Sequence, residues 1–383
     1  MKFATSANVL SLLKINMVAS LALGAAVILP AHEAFSATPQ PFPTTRDPLK
    51  WPFLPTSIWN MPIGSDAQYV PANLPAVPGN DSWSPMPYSD DEIIILRPSA
   101  PSTPVYYSSA GWSGASRCNS TGRQLLNLPI PTDFVIGRNS NTNGAAVALQ
   151  PDGRTLIHLQ PFARCNAGGA ATSYVTFKEV DLYGDGNAGA HGGSGLSVLG
   201  GSIRVGELRP NEQGPRHALK VNIYARQSLY NCGRYADCFR WPATNADIYA
   251  VGFYGSAGGN SNAAMKMGAL LAIPASRDLD SLGLESEPGR QLAWTLQNYG
   301  AYIVEDTWGP AFGIAIENGP DGSLATQFKA DYGVAFEQRA NSNTPWSRDV
   351  QKLNQALYVV NNNSPTSVGG GGTPRQPLAP ALQ

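Results

Sequence analysis

The chain has 383 residues, of which 14% are charged and 43% hydrophobic, and its formal net charge is −1. Glycine (39) and proline (32) are too frequent for a coiled coil, while 8 Trp, 15 Tyr and 12 Phe can bury a core that a wholly disordered chain lacks. The near-neutral charge argues against binding to nucleic acid or to an anionic membrane surface through bulk charge.

The N-terminus resembles an export signal. Two lysines, at positions 2 and 14, precede an apolar run at residues 17–29, which is shorter than the roughly 20 residues that a membrane-spanning helix needs. Small residues within the sequence AFS at 34–36 occupy the −3 and −1 positions of a cleavage site. The pattern predicts a signal peptide at 1–36 and a secreted or periplasmic protein without a membrane span. An uncleaved membrane anchor is the alternative.

Three further segments differ in composition. Residues 37–56 hold six prolines, which predicts an extended lead-in on the surface of the protein. Residues 361–383 are polar and rich in Gly and Pro, which predicts a disordered tail. Between them, residues 57–360 show no repeat and no clear linker, so we expect one β-rich domain.

Alternating and β-branched segments dominate the middle of the chain. A Pro-Asp-Gly-Arg sequence at 151–154 is typical of a tight connection between two strands of a hairpin. The predicted strands, each expected to be half-buried, are residues 145–150, 155–159, 172–180, 202–208 and 219–224.

Helical patterns are few. Ser286 is a natural cap for a helix that ends at Gly300, and residues 348–359 repeat apolar side chains at helical spacing. Residues 301–304 return to strand character. Many strands and two helices predict a mainly β fold, a single-domain β-sandwich or jelly-roll-like body with two peripheral helices.

Four cysteines remain after the signal peptide, which in an exported chain indicates two disulfides. Cys232 and Cys238 flank a short polar loop, so we pair them with each other and Cys118 with Cys165. A zinc site is the alternative, but the spacings fit it poorly.

Residues 184–206 contain nine glycines in 23 positions. Such density allows close approach of the backbone to a ligand, or it builds turns between strands. Beside it, Asp181, Asp185 and Asn187 offer oxygen ligands for calcium, although hydrogen bonds to their own backbone are the alternative. We therefore expect no cofactor, with calcium left open, and no site for another metal.

Strand parity predicts an acid–imidazole pair. Glu207 follows the apolar face of the predicted strand at 202–208, and His217 precedes that of 219–224. Antiparallel pairing across the loop at 209–216 would bring the two residues to one end of a sheet, with Cβ atoms about 5 Å apart. Such a pair can act as a general acid and base, or it can form a structural hydrogen bond.

Other candidate site residues surround this pair. His191 lies in the glycine-rich segment and is expected to fold over the pair, whereas His158 lies within a predicted strand and is expected to be structural. Trp and Tyr side chains in the first third of the chain, Trp112 and Tyr107 among them, either stack on ligand rings or pack the lead-in. The expected substrate-binding residues are Tyr183, Arg204, Arg216 and Asp181.

Three short sequences carry a resemblance. Gly-Glu-Leu at 206–208, Arg-His-Ala-Leu-Lys at 216–220 and Leu-Gln-Asn-Tyr-Gly-Ala-Tyr at 296–302 resemble segments of a group of exported bacterial proteins with no known activity. The resemblance covers residues 145–305 and implies neither a catalytic role nor a substrate.

These features predict a secreted carbohydrate-active enzyme, either a glycoside hydrolase or a polysaccharide lyase, whose partner is a polysaccharide. In a hydrolase Glu207 would be acid or nucleophile, with Asp181 or Asp185 as the second carboxylate. In a lyase His217 or His191 would take the proton. The alternative is a non-catalytic glycan-binding or surface-structural protein. Neither interpretation involves nucleic acid, and both leave the oligomeric state open.

Overall fold

The computed structural model describes residues 42–75, 87–88, 92–137, 143–177, 179–307, 309–338 and 342–382. The predicted signal peptide at 1–36 and the first five residues of the lead-in lie outside this part of the chain.

Strands account for most of the regular structure in the described residues, so the mainly β prediction is confirmed. In chain order they are β1 (Tyr69–Pro71), β2 (Pro87–Tyr88), β3 (Glu92–Leu96), β4 (Ser102–Tyr107), β5 (Gln124–Pro129), β6 (Ala145–Leu149), β7 (Thr155–Ala163), β8 (Ala171–Thr176), β9 (Val180–Asp181), β10 (Leu219–Ile223), β11 (Leu270–Ala272), β12 (Ala301–Asp306), β13 (Phe312–Ile314), β14 (Ile316–Gly319), β15 (Gly322–Ser323) and β16 (Tyr358–Val360).

Within the described residues the strands form two mixed sheets. The seven-stranded sheet has the order β1-β16-β11-β12-β10-β13-β2, and the nine-stranded sheet has the order β15-β14-β3-β6-β7-β8-β4-β5, with β9 on β7. In the first sheet β10 is parallel to β12 and antiparallel to β13. In the second, β6 and β7 form the predicted hairpin, closed by a hydrogen bond from Gln150 N to Thr155 O.

The helices pack beside the sheets. They are α1 (Ala225–Ser228), α2 (Glu287–Asn298), α3 (Leu324–Tyr332) and α4 (Pro345–Gln355), with short 3-10 helices at Tyr235–Asp237, Asp280–Leu282 and Val368–Gly370. As predicted, the Ser286 hydroxyl caps α2 by accepting a hydrogen bond from Gly289 N. The second predicted helix begins earlier than expected, after the Thr344 cap, and ends earlier too, because residues 358–360 form β16.

Among the described residues, three hydrophobic clusters lie on the faces of the two sheets. The largest lies between the seven-stranded sheet and the helices, and it includes Leu219 and Val221 of β10 with Leu292 of α2. A second is shared by the two sheets, with Val147 of β6 and Tyr302 of β12. The third covers the opposite face of the nine-stranded sheet. Strand β10 is therefore buried on both faces, which corrects the expectation of a half-buried strand.

The segment at 202–208 is not a strand, contrary to the prediction. Ile203 forms an isolated bridge with Ile316, and the chain then turns, with Glu207 N donating to Arg204 O at 3.1 Å. No neighbouring strand in the described part of the chain pairs with this segment along its length. Its alternating apolar and polar side chains therefore belong to a turn and not to the two faces of a strand.

The two terminal segments are held more firmly than their composition suggests. Phe53 of the lead-in is completely buried, so this segment enters the core instead of lying on the surface. The expected disordered tail is also corrected, because residues 361–382 lie against the start of the domain. Gly64 N donates to Gly369 O at 3.0 Å, and the Arg375 guanidinium donates to the Tyr69 hydroxyl at 2.7 Å. Hydrogen bonds fix the tail where apolar burial is small.

Both disulfides form with the predicted pairing, Cys118 with Cys165 and Cys232 with Cys238. The first joins the loop after β4 to the end of β7. The second closes the short loop at 232–238. The zinc alternative for these residues is therefore wrong.

The glycine-rich segment at 184–206 packs around the side chain of Trp59. Its indole N–H donates to Gly186 O at 2.8 Å, and its ring packs against Tyr302 with centroids 5.6 Å apart. A Cβ on Gly200 or Gly201 would stand 2.4 or 2.5 Å from atoms of this ring. The glycines therefore allow the backbone to lie directly on the indole. Of the two alternatives for this segment, Gly200 and Gly201 serve to build turns and not to let the backbone approach a ligand.

We expect Gly201→Ala to lower the free energy of unfolding by about 1–3 kcal/mol more than Gly153→Ala. Both glycines have positive φ, +77° and +68°, so the backbone strain of about 1–2 kcal/mol is common to the two variants. Only at Gly201 would the new methyl group meet the Trp59 ring, since nothing lies within 4 Å of a Cβ on Gly153. Urea unfolding followed by tryptophan fluorescence measures the difference, and equal losses would contradict this packing.

Candidate functional site

The structure brings Glu207 and His217 together. His217 Nε2 lies 3.1 Å from Glu207 Oε2, and His217 Nδ1 lies 2.9 Å from the carbonyl oxygen of Ala218. The Ala218 carbonyl oxygen and the ionised Glu207 carboxylate are both hydrogen-bond acceptors. The contact is therefore an acid–imidazole pair, and it is an ion pair whenever the imidazole is protonated. The contact between Glu207 and His217 forms because the loop at 209–216 brings the turn at 204–207 back to the start of β10. The expected pairing of two strands does not occur.

The pKa of Glu207 supports this interpretation. Burial alone would raise it, but the positive charge and hydrogen bond of His217, with a hydrogen bond from Arg204 N at 2.6 Å, lower the pKa below its ordinary value. The Glu207 side chain is 24% exposed and that of His217 only 6%. An ionised carboxylate that also closes its own turn is suited to holding the loop in place.

His191 is predicted to fold over this pair, but its ring contacts other residues. His191 Nδ1 lies 3.2 Å from Glu305 Oε2, and His191 Nε2 lies 2.9 Å from Lys220 Nζ. Lys220 Nζ also donates to the carbonyl oxygen of Val198 at 2.5 Å. The side chains of His191 and Lys220 are buried, so a lysine ammonium lies inside the protein between two strands and the glycine-rich segment.

Electrostatics assigns the proton on His191. Burial, followed by the charge of Lys220, lowers the pKa of His191 well below its usual range, so the ring is neutral. Nε2 must then accept from the Lys220 ammonium, which leaves the proton on Nδ1 to be donated to Glu305. The three side chains form one directed chain of hydrogen bonds, Lys220 to His191 to Glu305.

Glu305 reaches this position because the register of two strands shifts. Strands β10 and β12 pair in parallel, and the register shifts between Val221 and Asn222, which leaves an additional residue in β12 and places Glu305 beside Asn222. Such irregularities redirect side chains. Glu305 Oε1 accepts a hydrogen bond from Gly193 N at 3.0 Å, and its side chain is 14% exposed.

A second carboxylate, that of Asp247, lies against the same glycine. A Cβ on Gly193 would stand 3.1 Å from Asp247 Oδ2 and 3.2 Å from Glu305 Oε1. The Tyr254 hydroxyl donates to Asp247 Oδ2 at 2.5 Å. Burial raises the pKa of Asp247 despite the hydrogen bonds from tyrosine hydroxyls, which favour its ionised form. Two N–H groups therefore face Glu305, whereas Asp247 accepts from a tyrosine hydroxyl and has a raised pKa.

The rim of this carboxylate pair is exposed and partly apolar. Gly192 is exposed, and the loop after Asp247 carries Ile248, which is 96% exposed, and the half-exposed Tyr249. The Tyr249 hydroxyl donates to Asp306 Oδ2 at 3.2 Å, next to Glu305 in β12. Burial and the neighbouring carboxylates raise the pKa of Tyr249, so its phenol stays a donor. We refer to Glu305, Asp247, His191, Lys220 and Tyr249 as the Gly193 site.

The four predicted substrate-binding residues do not form one site, and one of them, Arg204, is hydrogen-bonded through its backbone N–H to the Glu207–His217 pair. Arg204 is buried and its guanidinium donates to the carbonyl oxygens of Leu199 and Ser202, so its role as a substrate ligand is corrected to a structural one. The Arg216 guanidinium lies 5.4 Å from the centroid of the Phe42 ring. The remaining two, Asp181 and Tyr183, both contact Arg154.

The possible calcium ligands form ordinary turns. Asp181 Oδ1 accepts from Tyr183 N at 2.9 Å, and Asp185 Oδ1 accepts from Asn187 N at 3.0 Å. Among the described residues, no three or more His, Cys, Asp or Glu side chains are placed to hold a metal ion.

His158 is completely buried in β7, opposite Val147 of β6. Burial, and then the charge of Lys220, lowers its pKa to about 3, so the ring is neutral. Neither ring nitrogen has a hydrogen-bond partner within the described residues. This neutral, enclosed ring is in keeping with the structural role expected for it.

Sequence patterns did not single out Glu305, Asp247 or Lys220. In the sequence Lys220 alternates with apolar residues, so in a half-buried strand it would face the solvent. In the structure β10 is buried on both faces, and Lys220 is buried with it. Glu305 and Asp306 do follow the predicted strand at 301–304, and an acidic pair at the end of an apolar strand is a signal that could have been used.

A scan against models of protein families, and searches of curated proteins and of solved structures, find no match to this chain. No helix in the described residues is long and apolar enough to cross a membrane.

We expect Glu207→Gln to lower the free energy of unfolding by about 1–3 kcal/mol at about pH 7, because it removes a carboxylate that pairs with the buried His217 ring and accepts from Arg204 N. The pKa of Glu207 is lowered in the folded state, so its contribution is present above the unfolded value of about 4.3 and is lost as the pH falls through the folded value. The difference from the unmodified protein should therefore shrink in acid.

Urea unfolding at about pH 7 and about pH 3 measures this difference. Glu212→Gln is the matched control, because the Glu212 carboxylate accepts no hydrogen bond among the described residues. A Glu207→Gln effect that is the same at both pH values would rule out the ion pair as its cause.

Proposed function

We propose that this protein is an exported glycoside hydrolase that uses Glu305 and Asp247 as its two carboxyl groups. The observation that carries the proposal is the placement of both around Gly193, one held by N–H donors and the other with a raised pKa. The two disulfides fit an oxidising compartment outside the cytoplasm, and the shared core of the two sheets fits a β-sandwich.

The environments divide the roles between the two carboxyl groups. Burial raises the pKa of Asp247, which favours the protonated form that a general acid needs for transfer to the leaving group. Glu305 accepts hydrogen bonds from Gly193 N and His191 Nδ1, and such donors favour an ionised carboxylate. Asp247 is therefore the general acid and Glu305 the nucleophile.

Their spacing favours retention of configuration. Asp247 Oδ2 and Glu305 Oε1 lie 3.1 and 3.2 Å from the Cβ position on Gly193, so these two oxygens are near enough for the short spacing of a retaining enzyme. Retaining enzymes keep their carboxyl groups about 5–5.5 Å apart, so that one of them attacks the sugar directly.

The reaction then has two steps. In the first, Glu305 attacks the anomeric carbon while Asp247 donates its proton to the glycosidic oxygen, which breaks the bond to the leaving sugar and forms a glycosyl ester. In the second, water attacks the same carbon, Asp247 takes a proton from the water, and Glu305 leaves as a carboxylate. Atoms and charge balance over the two steps, and the product is the hydrolysed sugar.

His191 and Lys220 are positioning residues in this scheme. The Lys220 ammonium donates a hydrogen bond to His191 Nε2, so the ring proton lies on Nδ1 and is donated to Glu305. Both nitrogens of His191 and both nitrogens of His217 already have hydrogen-bond partners. Neither ring offers a free lone pair for the proton abstraction of a lyase, so we favour hydrolysis.

We expect Glu305→Gln and Asp247→Asn each to reduce hydrolysis of a responsive polysaccharide by about 10²–10⁴-fold while the protein stays folded. Reducing ends released from a panel of polysaccharides measure turnover, and absorbance of unsaturated products reveals a lyase. Asp185→Asn is the control, because Asp185 lies in a turn and does not contact the Gly193 site.

Full activity of both variants would overturn the assignment of the carboxyl groups. An active protein whose products absorb as unsaturated sugars would make it a lyase. A protein that cleaves no member of the panel would instead support the non-catalytic, glycan-binding alternative.

The pH dependence should follow Asp247. Since the acid must be protonated, kcat/KM should fall as the pH rises through the raised pKa of Asp247. This alkaline decline should therefore be centred above the usual range of an aspartate, about 3.9, and be absent from the residual activity of Asp247→Asn. Initial rates measured from acid to neutral pH test this, and an alkaline decline that persists in the variant would contradict it.

A further inference from the structure

The nine-stranded sheet carries a group of exposed aromatic rings. Tyr107 at the end of β4 and Tyr174 in the parallel neighbour β8 lie with ring centroids 5.9 Å apart. Trp112 packs edge-on against Tyr174, with centroids 5.7 Å apart. Trp112 is 51% exposed and Tyr174 is 41% exposed, so these rings are packed together yet open to solvent. Flat aromatic faces of this kind are suited to stacking on ligand rings.

An open hollow of about 380 Å³ adjoins these rings. Arg123 is the one charged residue in its lining, and the Arg123 guanidinium has no ion pair within the described residues. The hollow therefore offers apolar ring faces, hydroxyl groups and a planar donor, without a carboxylate. Its lining residues are Tyr107, Arg123, Leu125, Tyr174, Val175 and Thr176, and we refer to them as the tyrosine hollow.

The loop beside the tyrosine hollow is fixed in place. The disulfide between Cys118 and Cys165 joins it to β7, and the Arg117 side chain donates to the carbonyl oxygen of Gly111 at 3.0 Å. The Trp112 indole N–H donates to Asn143 Oδ1 at 2.8 Å. A rigid aromatic surface loses little conformational entropy when a ligand binds, which favours recognition.

We propose that the tyrosine hollow is a binding site for pyranose rings of a polysaccharide. One face of a pyranose ring presents C–H groups that stack on Tyr174 and Tyr107, and its oxygens accept hydrogen bonds from the Arg123 guanidinium. This inference rests on the proposed function for the choice of a sugar ligand. The site itself uses no residue of the Gly193 site, so it would hold a polysaccharide to the enzyme outside the catalytic centre.

Native gel electrophoresis through gels that contain a neutral β-glucan or a polygalacturonate tests the proposal. We expect retardation of the full chain by one of these polymers, and about tenfold weaker binding for Tyr174→Ala and for Arg123→Ala. Tyr174→Phe should keep binding close to that of the unmodified protein, because the ring remains. The polymer that retards the protein shows whether neutral or acidic sugars are bound.

Tyr230→Ala is the matched control, since Tyr230 is also an exposed tyrosine but lies outside the tyrosine hollow. Three results would overturn the proposal. Tyr174→Ala could be retarded as much as the unmodified chain, or Tyr174→Ala and Tyr230→Ala could lose binding equally. The third is that neither polymer retards the unmodified chain. Thermal unfolding confirms that each variant is folded.

The same gels separate this inference from the proposed function. Glu305→Gln should bind the polymer normally while failing to cleave it, whereas Tyr174→Ala should cleave short oligosaccharides normally while binding the polymer weakly. Binding without any cleavage by the unmodified protein would leave the tyrosine hollow supported and the hydrolase rejected.

Discussion

The buried ammonium of Lys220 is the constraint on which this arrangement depends. A charge inside a protein is tolerated when hydrogen bonds replace its water, and here His191 Nε2 and the carbonyl oxygen of Val198 supply them. To do so, the glycine-rich segment must lie directly on β10, where Lys220 N also donates to Gly201 O at 3.0 Å. The same contact fixes the His191 ring and, through it, the carboxylate of Glu305.

Trp59 holds the same glycine-rich segment in place by apolar packing. The glycine-rich segment wraps the indole, and the absence of side chains at Gly200 and Gly201 lets backbone take the place of side-chain packing. Ala218 N, just before β10, donates to Trp59 O at 2.7 Å. The indole therefore anchors the segment that provides His191 and Gly193, so the geometry of the two carboxyl groups depends on a residue outside the Gly193 site.

Two acid–imidazole contacts in this protein have different consequences. Between Glu207 and His217 both ring nitrogens face acceptors, and the imidazole lowers the pKa of Glu207 against the opposing effect of burial. Between Glu305 and His191, burial and then the nearby ammonium make the ring neutral, and it gives a single directed hydrogen bond to the carboxylate. The first contact holds a loop closed, while the second orients a carboxylate that is partly open to solvent.

The sequence by itself determined the mainly β class, the disulfide pairing, the hairpin at 151–154 and the cap of α2, because each depends on neighbours in the chain or on a small number of alternatives. It also brought Glu207 and His217 into one hypothesis, through a loop of eight residues. Only the tertiary structure decided that β10 is covered on both faces, which turns Lys220 from a surface residue into a buried charge. It likewise decided that Asp247 and Glu305 meet, since burial and contacts between distant segments are not encoded in local periodicity.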